Sequence, residues 1–394
     1  MAEDATGGAN PLLSGLPDEI VTWEILVRLD PKSVLRCRAV RRDWRRATST
    51  RRFLLANHSR QPTLPIFNTA KFIDRVYYRI ILTFDHRAAN NTWRNKGLNL
   101  AARLDKGFRP VAVASCDGLL VLSKYNRPAS GDCLSICNPA TREHASLGPP
   151  WDFKLLGMYS HRPTGEYRLL LKRWSYMGWP DLPKYRIGFY VFVLGSNQQP
   201  RYIGWPEMTS WCIHEPVMVR DCLHWYPVHY LGEGPYQSES NPVIVFDMIT
   251  ESFRQMHVPI VPTNSYIFEM DGTLAIQHHN SDTQVMDIWV LQNYEREIWD
   301  FKYHIKLPIA EICEFTGGDE PWDVDVVSRD GELLLLIGFG WCLLHIDSDG
   351  KLIDCSFHDY ETLCMSKCQL KQSLVQHTFF PALEGYAVNT SPFV

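Results

Sequence analysis

Four acidic residues in the last third of the chain are the first candidates for chemistry. Asp323 and Asp325 lie in the segment WDVDVV, and Asp330 and Glu332 follow shortly after it. Two carboxyl groups on either side of a glycosidic bond can hydrolyse that bond. However, strand alternation places both aspartates of WDVDVV on one face and its apolar residues on the other. A half-exposed strand therefore explains the spacing more simply than a catalytic pair.

Histidines and cysteines provide the remaining candidates, which are His278-His279, Cys342 with His345, Cys133 with Cys137, and Cys364 with Cys368. The cysteine pairs are four residues apart, which is not zinc-finger spacing, and no paired-histidine motif completes a site. The chain also lacks a Gly-x-Ser-x-Gly elbow, a Walker-type loop and a three-glycine dinucleotide fingerprint. We therefore predict no catalytic residue, no metal and no cofactor.

The charge of the chain is unevenly distributed. Residues 1–60 contain 11 Lys and Arg against 7 Asp and Glu, a balance of +4, whereas the remainder balances to −8. The positive charge is an arginine cluster: Arg36, Arg38, Arg41, Arg42, Arg45, Arg46, Arg51 and Arg52. Such a cluster can bind phosphates, but a solvated face or contact with an acidic protein surface is the commoner use. We predict no nucleic-acid partner.

Targeting signals are not evident in the sequence. The first ten residues, MAEDATGGAN, lack the charge and apolar core of a secretory signal, and the longest apolar run, residues 333–344, is too short for a membrane span. Eleven cysteines without a signal peptide indicate free thiols in a reducing compartment. We expect an intracellular protein of the nucleus or cytoplasm, without membrane contact.

Residues 16–44, LPDEIVTWEILVRLDPKSVLRCRAVRRDW, predict short helices that would carry any site in this region. Val21, Ile25 and Leu29 recur every four residues and predict one apolar stripe. Asp30-Pro31 ends that helix and begins a second. Val40, with Trp44 and Ala47, predicts a third. Helices this short bury little of their own surface, so they form either a cap on the rest of the chain or a docking face for a partner.

The same string resembles the F-box in register over fifteen positions, from Leu16 to Trp44. Two departures are Asp30 between Leu29 and Pro31, and Arg41-Arg42 after Val40; both spare the apolar positions. The resemblance implies docking on a Skp-type adaptor and, through it, a cullin-based ubiquitin ligase. The residues expected to contact the adaptor or support that contact are Leu16, Pro17, Ile20, Ile25, Leu26, Leu29, Pro31, Leu35, Val40 and Trp44.

From about residue 60 a β-rich repeat replaces the helical pattern. Turns beginning with Asp recur at Asp117, Asp221, Asp271 and Asp330, with a drifted copy at TGEYRLLL. A strand–turn–strand unit closed by proline follows most turns, and these prolines lie 49 to 57 residues apart. This period is typical of propeller blades. We predict six blades, with seven as the alternative, and HTFFPALEGYAV pairing with the first blade to close the ring.

Phrases such as SCDGLLVL, VIVFDMITESF and DIWVLQNYEREIW resemble the F-box-associated domains of plant F-box proteins across most of residues 110–360. Two aromatic loops suit a surface that binds a target protein, although small satellite cores would explain them too. The candidate target-binding residues on these loops are Trp174, Tyr176, Trp179, Tyr230 and Tyr236.

We thus expect a mainly β chain with a small helical module. The predicted units are a disordered terminus (1–12), an F-box (13–57), a linker (58–65) and a kelch-like propeller (66–394). The resemblance implies the substrate-recognition subunit of an SCF-type ubiquitin ligase that binds a Skp-type adaptor and an unknown target. Two alternatives are a propeller hydrolase with a fused helical domain and an F-box scaffold acting outside a ligase.

Overall fold

The computed structural model describes residues 16–87, 95–105, 108–124, 133–147, 153–173, 188–204, 215–226, 242–259, 265–316, 322, 324–360, 363–390 and 393. Helices occupy the first part, and strands form six sheets arranged as a six-bladed propeller. The prediction of six blades is therefore confirmed.

The helical module runs from residue 18 to residue 60. Its first helix starts as α1 (Asp18–Ile20), continues as a π-helical stretch (Val21–Ile25) and ends in a 3₁₀ turn (Leu26–Arg28). It is followed by α2 (Pro31–Val40), α3 (Arg42–Thr48) and α4 (Arg51–Arg60). Asp30 caps α2 by accepting a 3.0 Å hydrogen bond from the Ser33 amide, which accommodates the extra residue before Pro31.

Two sequence expectations about these helices differ from the structure. Val40 ends α2 rather than starting the third helix, because Arg41 is extended (φ −140°, ψ 133°). The fourth helix was not foreseen, since it buries only Phe53 and Asn57 and shows no broad apolar stripe. The segment 58–65, predicted as a linker, includes the end of α4 and the first residues of the first strand, which begins at Leu64.

A small apolar core holds the module together, formed mainly by Val21, Leu26, Val27, Val34 and Phe53. The buried Asn57 amide donates hydrogen bonds to the carbonyl oxygens of Val27 (3.0 Å) and Leu29 (2.8 Å). These bonds satisfy carbonyls at the end of the first helix and fix α4 against it.

The strands in chain order are β1 (Leu64–Ile73), β2 (Val76–Phe84), β3 (Leu98–Leu104), β4 (Phe108–Cys116), β5 (Leu119–Lys124), β6 (Cys133–Asn138), β7 (Glu143–Ser146), β8 (Phe153–His161), β9 (Glu166–Arg173), β10 (Gly188–Val193), β11 (Arg201–Gly204), β12 (Val217–Val219), β13 (Cys222–Trp225), β14 (Val243–Asp247), β15 (Ser252–Met256), β16 (Ser265–Met270), β17 (Thr273–Asn280), β18 (Val285–Asn293), β19 (Ile298–Lys306), β20 (Val324–Arg329), β21 (Glu332–Phe339), β22 (Cys342–Asp347), β23 (Leu352–Phe357), β24 (Cys364–Leu370) and β25 (Ala387–Val388). A fifth helix, α5 (Ile309–Thr316), lies between β19 and β20.

The ring is closed by β24, which pairs antiparallel with β1 and completes the first blade in the order β24-β1-β2-β3. The prediction that HTFFPALEGYAV closes the first blade is wrong. Part of that segment forms β25, which pairs with β7 at the edge of the second blade. Its Phe380 is buried between the second and third blades.

Tight turns explain the sequence repeat. Asp117-Gly118, Asp271-Gly272 and Asp330-Gly331 each join the first two strands of a blade, and all six residues have positive φ. Two-residue hairpins need this conformation, which glycine and aspartate adopt at low cost. Gly165 occupies the turn between β8 and β9, where the drifted copy was expected.

Apolar clusters fill all six junctions between neighbouring blades and make the ring continuous. The segment WDVDVV follows the predicted alternation, since Val324 and Val326 are buried against the preceding blade. Asp325, on the other face, lies 3.5 Å from the Lys367 ammonium of β24. Because both faces of β20 pack against neighbouring blades, this strand is more buried than a half-exposed strand would be.

Candidate functional site

Five large apolar side chains between residues 16 and 40 face solvent, and a sixth, Leu55, is exposed on α4. The exposed fraction is 44% for Leu16, 43% for Ile20, 41% for Ile25, 41% for Leu35 and 75% for Val40. We call these five residues the outer helical face. Pro17, beside Leu16, is also exposed. Pro17 and the five residues of the outer helical face are all among the residues that the sequence assigned to adaptor contact.

The other four predicted residues point inward. Leu26 is 3% exposed and Pro31 is buried. Leu29 and Trp44 are half-buried and pack against the core of the module. These four can support the outer helical face, but they have little surface left to offer a partner.

The π-helical stretch determines which side chains point outward. The Leu26 amide bonds to the carbonyl of Val21, five residues back, as well as to that of Thr22. A π-turn advances five residues for about one turn, so residues five apart share a face. Val21 and Leu26 are accordingly buried together, whereas Ile20 and Ile25 are exposed together. The predicted stripe of Val21, Ile25 and Leu29 is therefore wrong, because it assumed α-helical spacing.

The module that bears the outer helical face is positively charged. The Arg41 guanidinium donates two hydrogen bonds, of 3.1 and 3.4 Å, to the Asp18 carboxylate and so joins the end of α2 to the start of the first helix. Residues 16–60 hold 11 Lys and Arg against 5 Asp and Glu, a balance of +6. Arg42, Arg45 and Arg46 of α3 are exposed. A basic rim of this kind attracts an acidic surface.

Contacts with the ring fix the position of the module. Leu374, from the segment after β24, enters the core of the module. The His58 ring lies 3.4 Å from the Gln372 carbonyl oxygen and 3.6 Å from the Asp117 carboxylate. Burial acts to raise the pKa of Asp117, but hydrogen bonds from His58 and Tyr167 outweigh it and hold that pKa below its usual value. The outer helical face thus stays exposed although the module is packed on the propeller.

The carboxylates considered as candidates for glycosidic hydrolysis are paired with cationic side chains. Asp330 pairs with Arg87, and Glu332 lies 2.9 Å from the same guanidinium and 3.0 Å from the His86 ring. The hydrogen bond from Arg87 holds the pKa of Glu332 below its usual value. Asp323 lies outside the described residues. The described carboxylates are therefore held in ion pairs with cationic side chains, an arrangement that does not suit a general acid.

Three of the histidine and cysteine candidates, His345, Cys342 and His279, make packing or polar contacts within the propeller. Burial lowers the pKa of His345 to about 4, and its ring lies 3.6 Å from Asp354. The Cys342 sulfur contacts the Cys355 sulfur at 3.2 Å. His279 packs on Trp322 with ring centroids 5.5 Å apart. Across the described segments, no group of three or more His, Cys, Asp or Glu could hold a metal ion.

The centre of the propeller contains a cavity of about 380 Å³, lined by residues from the innermost strands. Next to the cavity-lining Pro216, Glu215 accepts a 3.1 Å hydrogen bond from the Lys367 amide. Gln369 donates a 3.4 Å hydrogen bond to Glu269. Burial raises the pKa of Glu215. These two hydrogen bonds join different blades across the centre of the ring.

The predicted target-binding aromatics cannot be placed. Trp174, Tyr176 and Trp179 fall in 174–187, and Tyr230 and Tyr236 fall in 227–241; both segments lie outside the described residues.

Within the described parts of the chain, no helix has the length and apolar composition needed to cross a membrane.

A six-bladed propeller that carries a small helical module with an uncovered apolar face defines a class of modular proteins. Comparison identifies the family, because residues 99–340 match the F-box associated beta propeller domain. The chain is 31% identical to the F-box protein At2g34280 of Arabidopsis thaliana, covering 91% of this chain and 98% of the relative. This protein therefore belongs to the F-box proteins with an F-box-associated propeller.

More distant relatives agree with that assignment. An F-box/kelch-repeat protein of Arabidopsis thaliana is 22% identical, covering 92% of this chain and 91% of the relative. Among solved structures, a chain of a nidogen/laminin complex aligns over 77% of this chain with 10% identity and a TM-score of 0.38, which is too distant to carry a functional argument.

Proposed function

We propose that this protein is the substrate-recognition subunit of an SCF-type cullin–RING ubiquitin ligase and is not itself an enzyme. The outer helical face binds a Skp-type adaptor, which connects the protein to a cullin. The propeller binds the target protein. Ubiquitin transfer is then promoted by proximity, and the recruited conjugating enzyme supplies the chemistry. The complex acts in the nucleus or cytoplasm.

One observation carries the proposal: the helical module buries one set of apolar residues and leaves a second set in solvent. Fully burying a Leu, Ile or Val side chain contributes about 1.5–3 kcal/mol. With about half of that gain still available at each position, the five residues of the outer helical face can supply roughly 5 kcal/mol to a complex. That is a large share of the roughly 8 kcal/mol of a micromolar interaction.

The basic rim of the module supports the same partner class. Exposed arginines of α3 lie on the module that bears the outer helical face, and rim charges mainly raise the association rate and select the partner. An adaptor with an acidic surface meets both features. A hydrolase is not favoured, because the described carboxylates are held in ion pairs.

A pull-down with purified adaptor tests the proposal. We expect Leu16→Ala with Pro17→Ala to abolish adaptor binding while the thermal unfolding of the propeller stays unchanged. Ile249→Ala is the matched control, since Ile249 is an equally exposed apolar residue (46%) in the fourth blade. Undiminished binding by the double variant would refute the proposed contact. Co-purification of the adaptor without the cullin would instead indicate a scaffold outside the ligase.

A further inference from the structure

Two cysteines of the sixth blade have their sulfur atoms in contact. Cys342 of β22 and Cys355 of β23 are both free thiols, and their Sγ atoms are 3.2 Å apart. Leu344 is the direct partner of Cys355 across the strands, and Cys342 lies two residues before Leu344 on β22. Because residues two apart on a strand share a face, the two thiols are diagonal neighbours on one face of the sheet.

The position of β23 allows the small movement that a disulfide needs. Diagonal neighbours have Cα atoms about 7–8 Å apart, whereas a disulfide spans up to about 6.8 Å between Cα atoms and about 2 Å between sulfurs. This strand is the outermost of its sheet, so strand pairing holds it on one side only. Its pairing with β22 also contains an irregularity between His345 and Ile346. The two sulfurs can therefore bond after β23 moves by about an ångström.

The surroundings of the two thiols set the order in which they react. Cys342 is 5% exposed, and Cys355 is half-buried. Burial raises the pKa of both thiols, that of Cys355 to about 12. The contact between the sulfurs acts to lower the pKa of Cys342 and to raise that of Cys355, as expected when Cys355 donates the hydrogen bond. Cys342 therefore ionises first, and because only a thiolate is a nucleophile, the reaction is slow at neutral pH.

We propose that Cys342 and Cys355 are a redox-active dithiol, which a hydroperoxide converts into a disulfide between β22 and β23. The Cys342 thiolate attacks one peroxide oxygen; an S–O bond forms, the O–O bond breaks, and the leaving oxygen takes up the proton that Cys342 released. The Cys355 sulfur then attacks the Cys342 sulfenic acid; an S–S bond forms, the S–O bond breaks, and hydroxide leaves with the Cys355 proton as water. The two thiols lose two electrons, which reduce the peroxide, and a thiol reductant reverses the reaction.

The disulfide fixes a strand that contacts the first blade. The Phe357 carbonyl oxygen accepts a 2.8 Å hydrogen bond from the Asn95 amide, and the Asp354 carboxylate lies 2.8 Å from the Lys96 ammonium. Asn95 and Lys96 lie just before β3, the outermost strand of the first blade. Oxidation therefore suppresses local opening of β23 beside that contact. The cysteine pair shares no residue with the outer helical face, so this inference is independent of adaptor binding.

Peptide mass spectrometry of the full-length protein treated with hydrogen peroxide tests the proposal. The peroxide is raised until Cys364, an exposed thiol, is fully oxidised; the remaining thiols are then alkylated, and the protein is digested without reductant. We expect a cross-linked peptide pair that joins Cys342 to Cys355, has lost two hydrogen atoms and separates on addition of dithiothreitol. If both thiols are still alkylated as free cysteines at that point, or are oxidised to sulfinic acid without a cross-link, the proposal is wrong.

Single substitutions test the order of the two steps. Cys355→Ser removes the second sulfur, so the sulfenic acid of Cys342 should persist and react with dimedone. Cys342→Ser is the matched control and should give at least about fivefold less dimedone labelling, because the pKa of the remaining thiol is the higher one. Equal or greater labelling of Cys355 in the control would contradict the assigned roles.

Hydrogen exchange of residues 352–357 measures the consequence for the strand. Peroxide should slow exchange at least about tenfold in the wild type and should have no such effect in Cys355→Ser, which cannot form the disulfide. Addition of dithiothreitol should restore the original rate. Equal slowing in both proteins, or no slowing in a cross-linked wild type, would refute this effect of the disulfide.

Discussion

Under the proposed function, different side chains of the first helix serve adaptor binding and stability, and this gives a quantitative prediction. Ile20 and Ile25 lie on the outer helical face, whereas Leu26 is 3% exposed inside the module. We therefore compare the double variant Ile20→Ala with Ile25→Ala against the single variant Leu26→Ala. The double variant tests the outer helical face, and Leu26→Ala tests the core beneath it.

The magnitudes follow from exposure. Each isoleucine is a little over 40% exposed, so burying the rest of its side chain in a complex contributes about 1 kcal/mol. Truncating both should therefore weaken adaptor binding by about 2 kcal/mol, which is roughly thirtyfold in Kd. Their effect on folding should stay within about 0.5–1 kcal/mol. Leu26→Ala should instead destabilise the module by about 2–5 kcal/mol, because it leaves a cavity.

Two measurements separate these effects. Calorimetric titration with purified adaptor gives the Kd, and hydrogen exchange of residues 18–40 gives the local opening free energy. We expect the isoleucine variant to change the Kd but not the exchange, and Leu26→Ala to accelerate exchange. If Ile20→Ala with Ile25→Ala accelerates exchange as much as Leu26→Ala, or leaves the Kd unchanged, the division into outward and inward faces is wrong.

Two further predictions concern the propeller. A Cβ on Gly118 would lie 2.5 Å from the Ser373 Cβ, whereas nothing lies within 4 Å of a Cβ on Gly272, which has a similar φ. Gly118→Ala should therefore lower the free energy of unfolding by at least about 1 kcal/mol more than Gly272→Ala does, as measured by chemical denaturation. Equal losses would contradict this contact. Burial lowers the pKa of His224 to about 4, so the unfolded chain binds more protons between pH 6.5 and 4 and stability falls as the pH drops through that window. We expect His224→Gln to lose on the order of 1–2 kcal/mol less stability than the wild type between pH 7 and pH 5 in thermal unfolding curves, and an equal loss would refute this role of His224.

Much of the propeller could be predicted because its signals are local. The Asp-Gly turns specify their own backbone, as the positive φ of Asp117 and Gly118 shows, and they recur at Asp271-Gly272 and Asp330-Gly331. The alternation in WDVDVV also survives in the structure. The closure could not be predicted, because β24 pairs with β1, which lies at the other end of the propeller sequence, and the sequence of β24, CMSKCQL, has no turn or repeat that identifies its partner.

The adaptor contacts stay a prediction, and the sequence did not show which of the predicted side chains face solvent. Residue types identified the helical module and its resemblance to the F-box, yet Ile25 and Leu26 are adjacent and apolar and nothing in the sequence says which one faces solvent. The π-helical hydrogen bond from the Leu26 amide to Val21 decides this. Tertiary packing on α4 and Leu374 holds that geometry, and helical periodicity alone cannot reveal it.

The central claim is that the outer helical face is an adaptor-binding surface. Hydrogen exchange of the full-length protein, with and without a saturating Skp-type adaptor, tests it most directly. We predict that the adaptor slows exchange within residues 16–48 and leaves the strands of the propeller unaffected. Unchanged exchange in residues 16–48, or protection confined to the propeller, would contradict the claim.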